Sequence, residues 1–216
     1  GSEHSFSGPG EAQAAGVATV YQEVNLCDNL SVAENIMLSH TPRQGGAINW
    51  RETRRQARTY LDRMNLDIDP GSILGTHSLA VQQLVAICRA MVVDAKVLIL
   101  DEPTSSLDSD EVAQLFAVIR SLRDEGVAIL FVSHFLDQIY QISDRMTILR
   151  NGELVGEHLV SELPRVELVS KMIGKSLEQL EQLESAGTRG ASASTDQAPV
   201  LSALGLGRRG AIEPFD

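Results

Sequence analysis

Two adjacent carboxylates that follow an apolar run are the clearest candidates for a chemical role in this sequence. Residues 97–100 are continuously apolar, and Asp101 and Glu102 follow them directly. Such a run is typical of a strand buried on both faces of a mostly parallel sheet, and open α/β sheets bind ligands at the carboxyl ends of their strands. Asp101 could therefore hold Mg²⁺ directly or through water.

Glu102 has a separate potential role. On an extended strand it would point away from Asp101, where it could orient or deprotonate a water that attacks a terminal phosphate. The alternative for both residues is a strand end with two solvated acids. Pro103 and the Ser-Ser-Leu-Asp turn that follows add specificity to the functional interpretation.

Two other apolar runs also end in polar side chains. Residues 17–21 (VATVY) precede Gln22, and residues 128–132 (AILFV) precede Ser133 and His134. Taken singly, Gln22 is better explained as a solvated residue after a strand, and His134 as an ordinary surface or core histidine. Their occurrence in one order along the chain with the Asp101–Glu102 segment favours a functional role for both.

The remaining pattern predicts an α/β layer with an inserted helical block. Ser31 and Glu34 match a capping box at a helix start, and Asn151-Gly152 is a strong hairpin signal. Strand–helix–strand alternation argues for the α/β layer, and residues 31–93 argue for the insertion. The predicted helices are residues 11–15, 31–40, 50–64, 78–92, 110–125 and 162–173. Two further strands are predicted at residues 145–150 and 153–156. Residues 43–48 are predicted to form a loop, and residues 185–199 a flexible linker.

The composition excludes several classes of protein. The 216 residues include 18 Lys or Arg and 29 Asp or Glu, and the formal net charge is −11. An acidic chain lacks the basic face that a phosphate backbone requires, so nucleic acid is not an expected partner. Its 43% apolar content suffices for a core, but its apolar runs are too short to cross a bilayer. Cys27 and Cys88, without metal-ligand spacing, are interpreted as small apolar residues in a reduced, cytoplasmic protein.

Three motifs together resemble those of the ATP-binding cassette (ABC) ATPases. Residues 99–108 (ILDEPTSSLD) resemble the Walker B segment and D-loop, residues 132–134 (VSH) the switch-histidine strand, and residues 20–23 (VYQE) the Q-loop. They occur in the family's order, and the resemblance runs from about residue 17 to residue 174. It implies an α/β fold, a truncated P-loop NTPase with a mostly parallel sheet core and an inserted helical subdomain.

The resemblance narrows to the monosaccharide-importer branch, of the ribose, galactose and xylose type. Residues 21–26 (YQEVNL), 31–36 (SVAENI) and 82–90 (QQLVAICRA) resemble that branch, whose members fuse two cassettes in one polypeptide. The implied division is a partial cassette over residues 1–176 with a helical subdomain at about 31–93, a helix end and linker over 177–206, and the start of a second cassette at 207–216. Gly1-Ser2 resembles the scar of a cleaved tag, and we expect the chain to be a piece of a longer protein.

The resemblance also implies a role for each motif residue. Gln22 would touch Mg²⁺ or the attacking water and sense the γ-phosphate, and Asp101 would organise Mg²⁺. Glu102 would be the catalytic carboxylate, and His134 would hydrogen-bond the γ-phosphate. Asp108 would communicate across the cassette dimer. The implied cofactors are ATP and Mg²⁺.

Two nucleotide-binding motifs depart from the family pattern. Where the family carries Leu-Ser-Gly-Gly-Gln, this chain has residues 77–81 (HSLAV), so that Ser78, the implied nucleotide contact, lacks the glycines that allow close backbone approach. The only Gly-Lys-Ser is at residues 174–176, with Val169 in place of the first glycine of a phosphate cradle and a predicted helix before it. The chain therefore carries the hydrolytic half of a site without Walker A, and by itself is expected to be inactive and to expose apolar sheet surface.

Three classes of function follow from these motifs. The leading one is the ATPase of a sugar importer, peripheral on the cytoplasmic face of the membrane. It would power uptake by ATP-driven cassette dimerisation, together with a membrane permease and, through it, a periplasmic or extracellular sugar-binding protein. The alternative is a non-catalytic ABC-like module that binds a partner without turnover. The third class, a soluble ABC protein of DNA repair or translation, is disfavoured by the net charge of −11.

Overall fold

The computed structural model describes residues 4–22 and 25–174, together with the backbone of two short strands at 206–208 and 212–215. Its helices are α1 (Pro9–Ala14), α2 (Val32–Met37), α3 (Trp50–Arg63), α4 (Leu79–Met91), α5 (Ser109–Asp124), α6 (Leu136–Ile142) and α7 (Arg165–Ile173). Its strands are β1 (Val17–Val20), β2 (Arg43–Gln44), β3 (Ala47–Ile48), β4 (Val97–Asp101), β5 (Ala128–Val132), β6 (Arg145–Arg150), β7 (Glu153–Leu159), β8 (Leu206–Arg208) and β9 (Ile212–Phe215). The chain divides into two compact units, Gly1–Met146 and Thr147–Asp216.

A parallel sheet of three strands, in the order β1-β4-β5, organises the first unit. Its register pairs Val20 with Leu100, Leu100 with Phe131, and Asp101 with Val132. Because the strands run in the same direction and in register, the segments that follow them leave the same edge of the sheet. The predicted α/β class with a parallel core is confirmed.

One face of this sheet is well covered and the other is not. Leu98 and Leu100 of β4 are fully buried, whereas Leu130 and Val132 of β5 are 53% and 43% exposed. The covered face of β5 packs on α5, where the rings of Phe116 and Phe131 meet edge to face at 5.8 Å. Burial of β5 on both faces, as its apolar run suggested, is therefore wrong for the described residues, and the expected exposure of apolar sheet surface is observed.

The predicted helical block forms from α2, α3 and α4, which pack against one another. On α4 the apolar face that the periodicity indicated is buried, with Leu84, Ile87 and Met91 each at most 2% exposed. In the described part of the chain, no helix combines the length and apolar character that crossing a membrane requires. Cys88 lies in this core, and burial raises the pKa of its thiol to about 12, in agreement with its interpretation as an apolar residue.

Several local predictions need correction. Residues 43–48 are a short β2–β3 hairpin around Gly45 and Gly46, which both have positive φ, rather than a loop. Helix α6 was not predicted, because its seven residues are too few for a helical period to stand out. The hairpin at Asn151-Gly152 is confirmed, with both residues left-handed between β6 and β7.

The end of the chain is described only in part. The predicted linker at residues 185–199 lies outside the described residues. Within residues 207–216, the segment assigned to the start of a second cassette, β9 pairs antiparallel with β8. That domain assignment stays a prediction.

The capping box at α2 is confirmed and should make the protein's stability depend on pH. The Ser31 hydroxyl and backbone N–H donate to the Glu34 carboxylate at 2.5 and 2.8 Å and hold its pKa below the ordinary value. This stabilisation is present above the ordinary glutamate pKa and is lost as the pH falls through the lowered value. Glu34→Gln should therefore destabilise the protein near pH 7, and the difference should shrink towards about pH 3.5.

Urea unfolding at both pH values measures this effect. Ser31→Ala should lower the free energy of unfolding by about 1 kcal/mol near neutral pH. Glu153→Gln, at an exposed position in β7, is the matched control and should change little at either pH. An equal destabilisation by Glu34→Gln at both pH values would contradict the prediction.

Candidate functional site

The structure brings Glu102 and His134 together at the carboxyl edge of the sheet. The backbone N–H of Glu102 donates to the carbonyl of Val132 at 2.9 Å, so the pairing of β4 with β5 continues one residue past Asp101. Two residues beyond Val132, the His134 Nδ1 lies 3.1 Å from the Glu102 Oε1. Side chains separated by 32 positions in the chain thus lie in contact because their strands are neighbours.

Glu102 does not continue the extended backbone of β4. Its φ is +47°, in the left-handed region that residues other than glycine seldom occupy. The expectation that Glu102 continues the extended strand is therefore wrong. A strained residue of this kind costs on the order of 1 kcal/mol and is often found at functional positions. Here the turn directs the carboxylate to His134.

His134 is presented on a short, exposed segment between β5 and α6. Its side chain is 58% exposed, and its ring lies 4.1 Å from the Phe135 ring, centroid to centroid. The Phe135 backbone N–H donates to the Ser133 hydroxyl at 3.0 Å, which fixes the local turn. With Nδ1 facing Glu102, the Nε2 atom on the opposite side of the ring is the nitrogen left for another partner.

Asp101 and Gln22 supply oxygen donors that suit Mg²⁺. Asp101, half-buried, ends β4, and Gln22, exposed, lies two residues after the end of neighbouring β1. Among the described residues, no three His, Cys, Asp or Glu side chains cluster closely enough to form a metal site by themselves. Mg²⁺ is commonly held by one or two carboxylates together with substrate phosphates and water, so this limited set fits such an ion.

Ser78 and Asp108 begin helices in this structure. The Ser78 hydroxyl accepts from the Val81 N–H at 3.4 Å at the start of α4. An Asp108 oxygen accepts from the Asp110 and Glu111 N–H groups at 2.9 Å each, at the start of α5. The structure thus gives both residues capping roles and does not join them to Glu102 and His134 by any hydrogen bond or ion pair among the described residues. The nucleotide role of Ser78 and the dimer role of Asp108 stay predictions.

Asn35 is a positioning residue that the sequence pattern concealed. It is fully buried, its side-chain oxygen accepts from the Cys27 N–H at 2.8 Å, and its NH₂ donates to the Cys27 and Ser31 carbonyls at 2.9 and 3.0 Å. These bonds fix residues 27–31, which lead into α2. The only signal was a polar residue on the apolar face of a short helix, which is weak evidence by itself.

Two clefts adjoin the helical block. The larger, about 320 Å³, lies beside β1 and includes Tyr21, His40 and Arg89 in its lining. Arg89 donates to the Asn25 carbonyl at 2.6 Å, and partial burial lowers the pKa of its guanidinium. The smaller, about 240 Å³, lies beside the exposed Trp50. Neither contains Glu102 or His134 in its lining.

Comparison with known proteins agrees with this arrangement. The family model described as ABC transporter matches residues 4–105. The whole chain is 54% identical to the fructose import ATP-binding protein FruK of Bifidobacterium longum. Over 95% of its length it is 46% identical to the galactofuranose transporter ATP-binding protein YtfR of Escherichia coli K12. The chain spans 42% of the first relative and 40% of the second.

Solved structures agree at the level of the fold. An ATP-binding cassette from an ABC transporter, solved without nucleotide, matches 77% of this chain and 68% of its own with a TM-score of 0.63 at 18% identity. Another cassette, in its ADP conformation, matches 77% and 72% with a TM-score of 0.64 at 20% identity. This likeness shows the fold, and the far closer sequence relatives and the family model show that the chain belongs to the ABC transporter family, as its Q-loop, Walker B and switch-histidine motifs indicated.

Proposed function

We propose that this chain is part of the ATP-binding subunit of a sugar importer, in which it contributes the hydrolytic side of an ATP site. The contact between Glu102 and His134 at 3.1 Å is the observation that carries the proposal. Relatives named for fructose, galactofuranose and ribose import, at 54%, 46% and 44% identity, support sugar as the transported class. Because the chain spans less than half of each, activity and substrate belong to the proposal.

The proposed chemistry is attack of water on the terminal phosphate of ATP. Glu102 orients the water and accepts its proton as the new phosphorus–oxygen bond forms and the bond to ADP breaks. His134, held through Nδ1 by Glu102, donates from Nε2–H to a γ-phosphate oxygen, which requires the imidazolium form of the ring. Asp101 and Gln22 would hold Mg²⁺, which neutralises phosphate charge.

We infer that phosphate binding needs residues beyond those of this chain. Gly174 has a φ of +76° and is the C-cap of α7, the position of a helix terminator rather than of a cradle after a strand. Lys175 lies outside the described residues. The chain alone is therefore proposed to lack ATPase activity, and the intact protein to possess it.

The proposed partners are a membrane permease, and through it a sugar-binding protein outside the membrane, and a second cassette. The permease would dock on the helical block and the Gln22 region from the cytoplasmic face. The cleft lined by Tyr21 and Arg89 supports this placement because it adjoins both β1 and the helical block. Ser78 and Asp108, both exposed at helix starts, are available to the second cassette.

Removal of the proposed catalytic carboxylate should abolish hydrolysis by the intact protein. Glu102→Gln keeps the shape of the side chain but loses the proton acceptor, and His134→Ala loses the phosphate contact. Each should lower the ATPase rate by about 100-fold or more, as measured by phosphate release. Glu153→Gln, on exposed β7, is the control and should retain activity. Undiminished hydrolysis by Glu102→Gln would refute its role, and an inactive wild-type protein would favour the non-catalytic module.

The isolated chain should not bind MgATP, because its sequence contains no glycine-rich cradle followed by Lys. Calorimetric titration of the chain carrying Glu102→Gln prevents turnover during the measurement. We expect no heat of binding up to millimolar nucleotide, whereas the intact protein with the same substitution should bind. Micromolar binding by the chain alone would contradict this expectation and would make Lys175 the first residue to replace.

A further inference from the structure

A second hydrogen bond joins the two segments that carry Glu102 and His134. The Thr104 hydroxyl donates to the Gln138 side-chain oxygen at 2.5 Å. Thr104 lies two residues after Glu102, and Gln138 lies four residues after His134 at the first turn of α6. Besides the backbone bond from the Glu102 N–H to the Val132 carbonyl, the two segments thus meet through two side-chain contacts, one between the proposed catalytic side chains and one behind them.

The contact between Thr104 and Gln138 and the contact between Glu102 and His134 differ in their exposure to water. Thr104 is only 3% exposed, whereas the side chains of His134 and Glu102 are 58% and 31% exposed. An exposed ion pair contributes little stability and does not by itself hold two side chains in one geometry. A buried hydroxyl is different, because leaving it without a partner is costly. The buried bond is therefore the better candidate for setting the distance between the segments.

The segment that carries Glu102 is short and internally bonded. Pro103 is buried beside Thr104, the Ser105 N–H donates to the Glu102 carbonyl at 3.3 Å, and the Leu107 N–H donates to the Thr104 carbonyl at 3.2 Å. Because the turn is fixed by these bonds, a displacement of Thr104 would also displace the left-handed Glu102.

The segment that carries His134 depends on α6 for its position. Helix α6 has seven residues and none of them is fully buried. Its last turn is held by Ile142, which packs against the core, and by Arg120, which donates to the Gln141 carbonyl at 3.3 Å. Its first turn is closed by the Gln138 N–H, which donates to the Phe135 carbonyl at 3.1 Å. The bond from Thr104 to the side chain of Gln138 therefore attaches the start of this helix, and with it His134, to the turn of Glu102.

We propose that Thr104 and Gln138 are positioning residues that hold Glu102 and His134 in contact for water activation. The functional part of this inference rests on the proposed function, whereas the positioning part concerns the geometry of this chain. A role in packing alone would require only the shape of Thr104, and a positioning role requires its hydroxyl.

The test compares substitutions that separate shape from hydroxyl. In the intact protein, Thr104→Val keeps the shape and should lower kcat for ATP by about 10-fold with little change in KM, because displacement of a catalytic group by about 1 Å affects mainly the chemical step. Thr104→Ser keeps the hydroxyl and should restore kcat to within about 2-fold of wild type. Gln138→Met should match Thr104→Val, and the double variant should be no worse than either. Equal activity of Thr104→Val and wild type would overturn the proposal.

A spectroscopic measurement keeps the inference testable without turnover. In the nucleotide-free intact protein with ¹⁵N-labelled histidine, a long-range ¹H–¹⁵N spectrum at alkaline pH identifies the protonated nitrogen of His134, and His134→Gln assigns its signal. Contact with Glu102 should place the proton on Nδ1 in wild type and in Thr104→Ser, and Thr104→Val should lose that preference. If Thr104→Val leaves the tautomer unchanged, the positioning role is refuted. An ATPase-inactive wild type that shows the expected tautomers would refute only the proposed function.

Discussion

Parallel, in-register pairing of β1, β4 and β5 is the constraint on which the candidate site depends. Each strand brings one polar segment to the same edge of the sheet, and the bond from the Glu102 N–H to the Val132 carbonyl extends this order by one residue. A shift of one residue between β4 and β5 would turn their side chains to the opposite face and separate Glu102 from His134. Backbone pairing therefore creates a contact that neither segment could form alone.

Around this sheet, polar residues that are predicted to act in the site also serve the structure. Ser78 and Asp108 satisfy free N–H groups at the starts of α4 and α5. Asn35 likewise satisfies the backbone N–H and carbonyl of Cys27. Loss of activity on mutation of such residues would mix two effects, so a conservative variant that preserves the cap is needed before a role with nucleotide is assigned.

The left-handed backbone of Glu102 has a conformational free-energy cost, and the packing and hydrogen bonds of the neighbouring residues must offset it. The buried Pro103 and Thr104 and the turn bonds at Ser105 and Leu107 lie directly after it. Strain held by a buried turn is a means of directing one carboxylate while the adjacent Asp101 stays in register in β4. The exposed contact between Glu102 and His134 thus depends on buried residues that follow Glu102. This dependence is the physical basis for the proposed roles of Thr104 and Gln138.

The sequence by itself determined the parallel α/β class, the helical block and the capping box at Ser31, because apolar periodicity and capping signals are local, and its motifs carried the resemblance to the family. The order of Gln22, Asp101, Glu102 and His134 along three apolar runs was also sufficient to indicate a common site. Only the tertiary structure decided that β5 is covered on one face, that Glu102 is left-handed and that Asn35 and Thr104 are buried hydrogen-bonding residues. The cover of β5, the direction of Glu102 and the bond of Thr104 to Gln138 depend on which distant segments meet in the fold, and the bonds of Asn35 depend on how residues 27–31 turn back onto α2. No pattern of residue types records either arrangement.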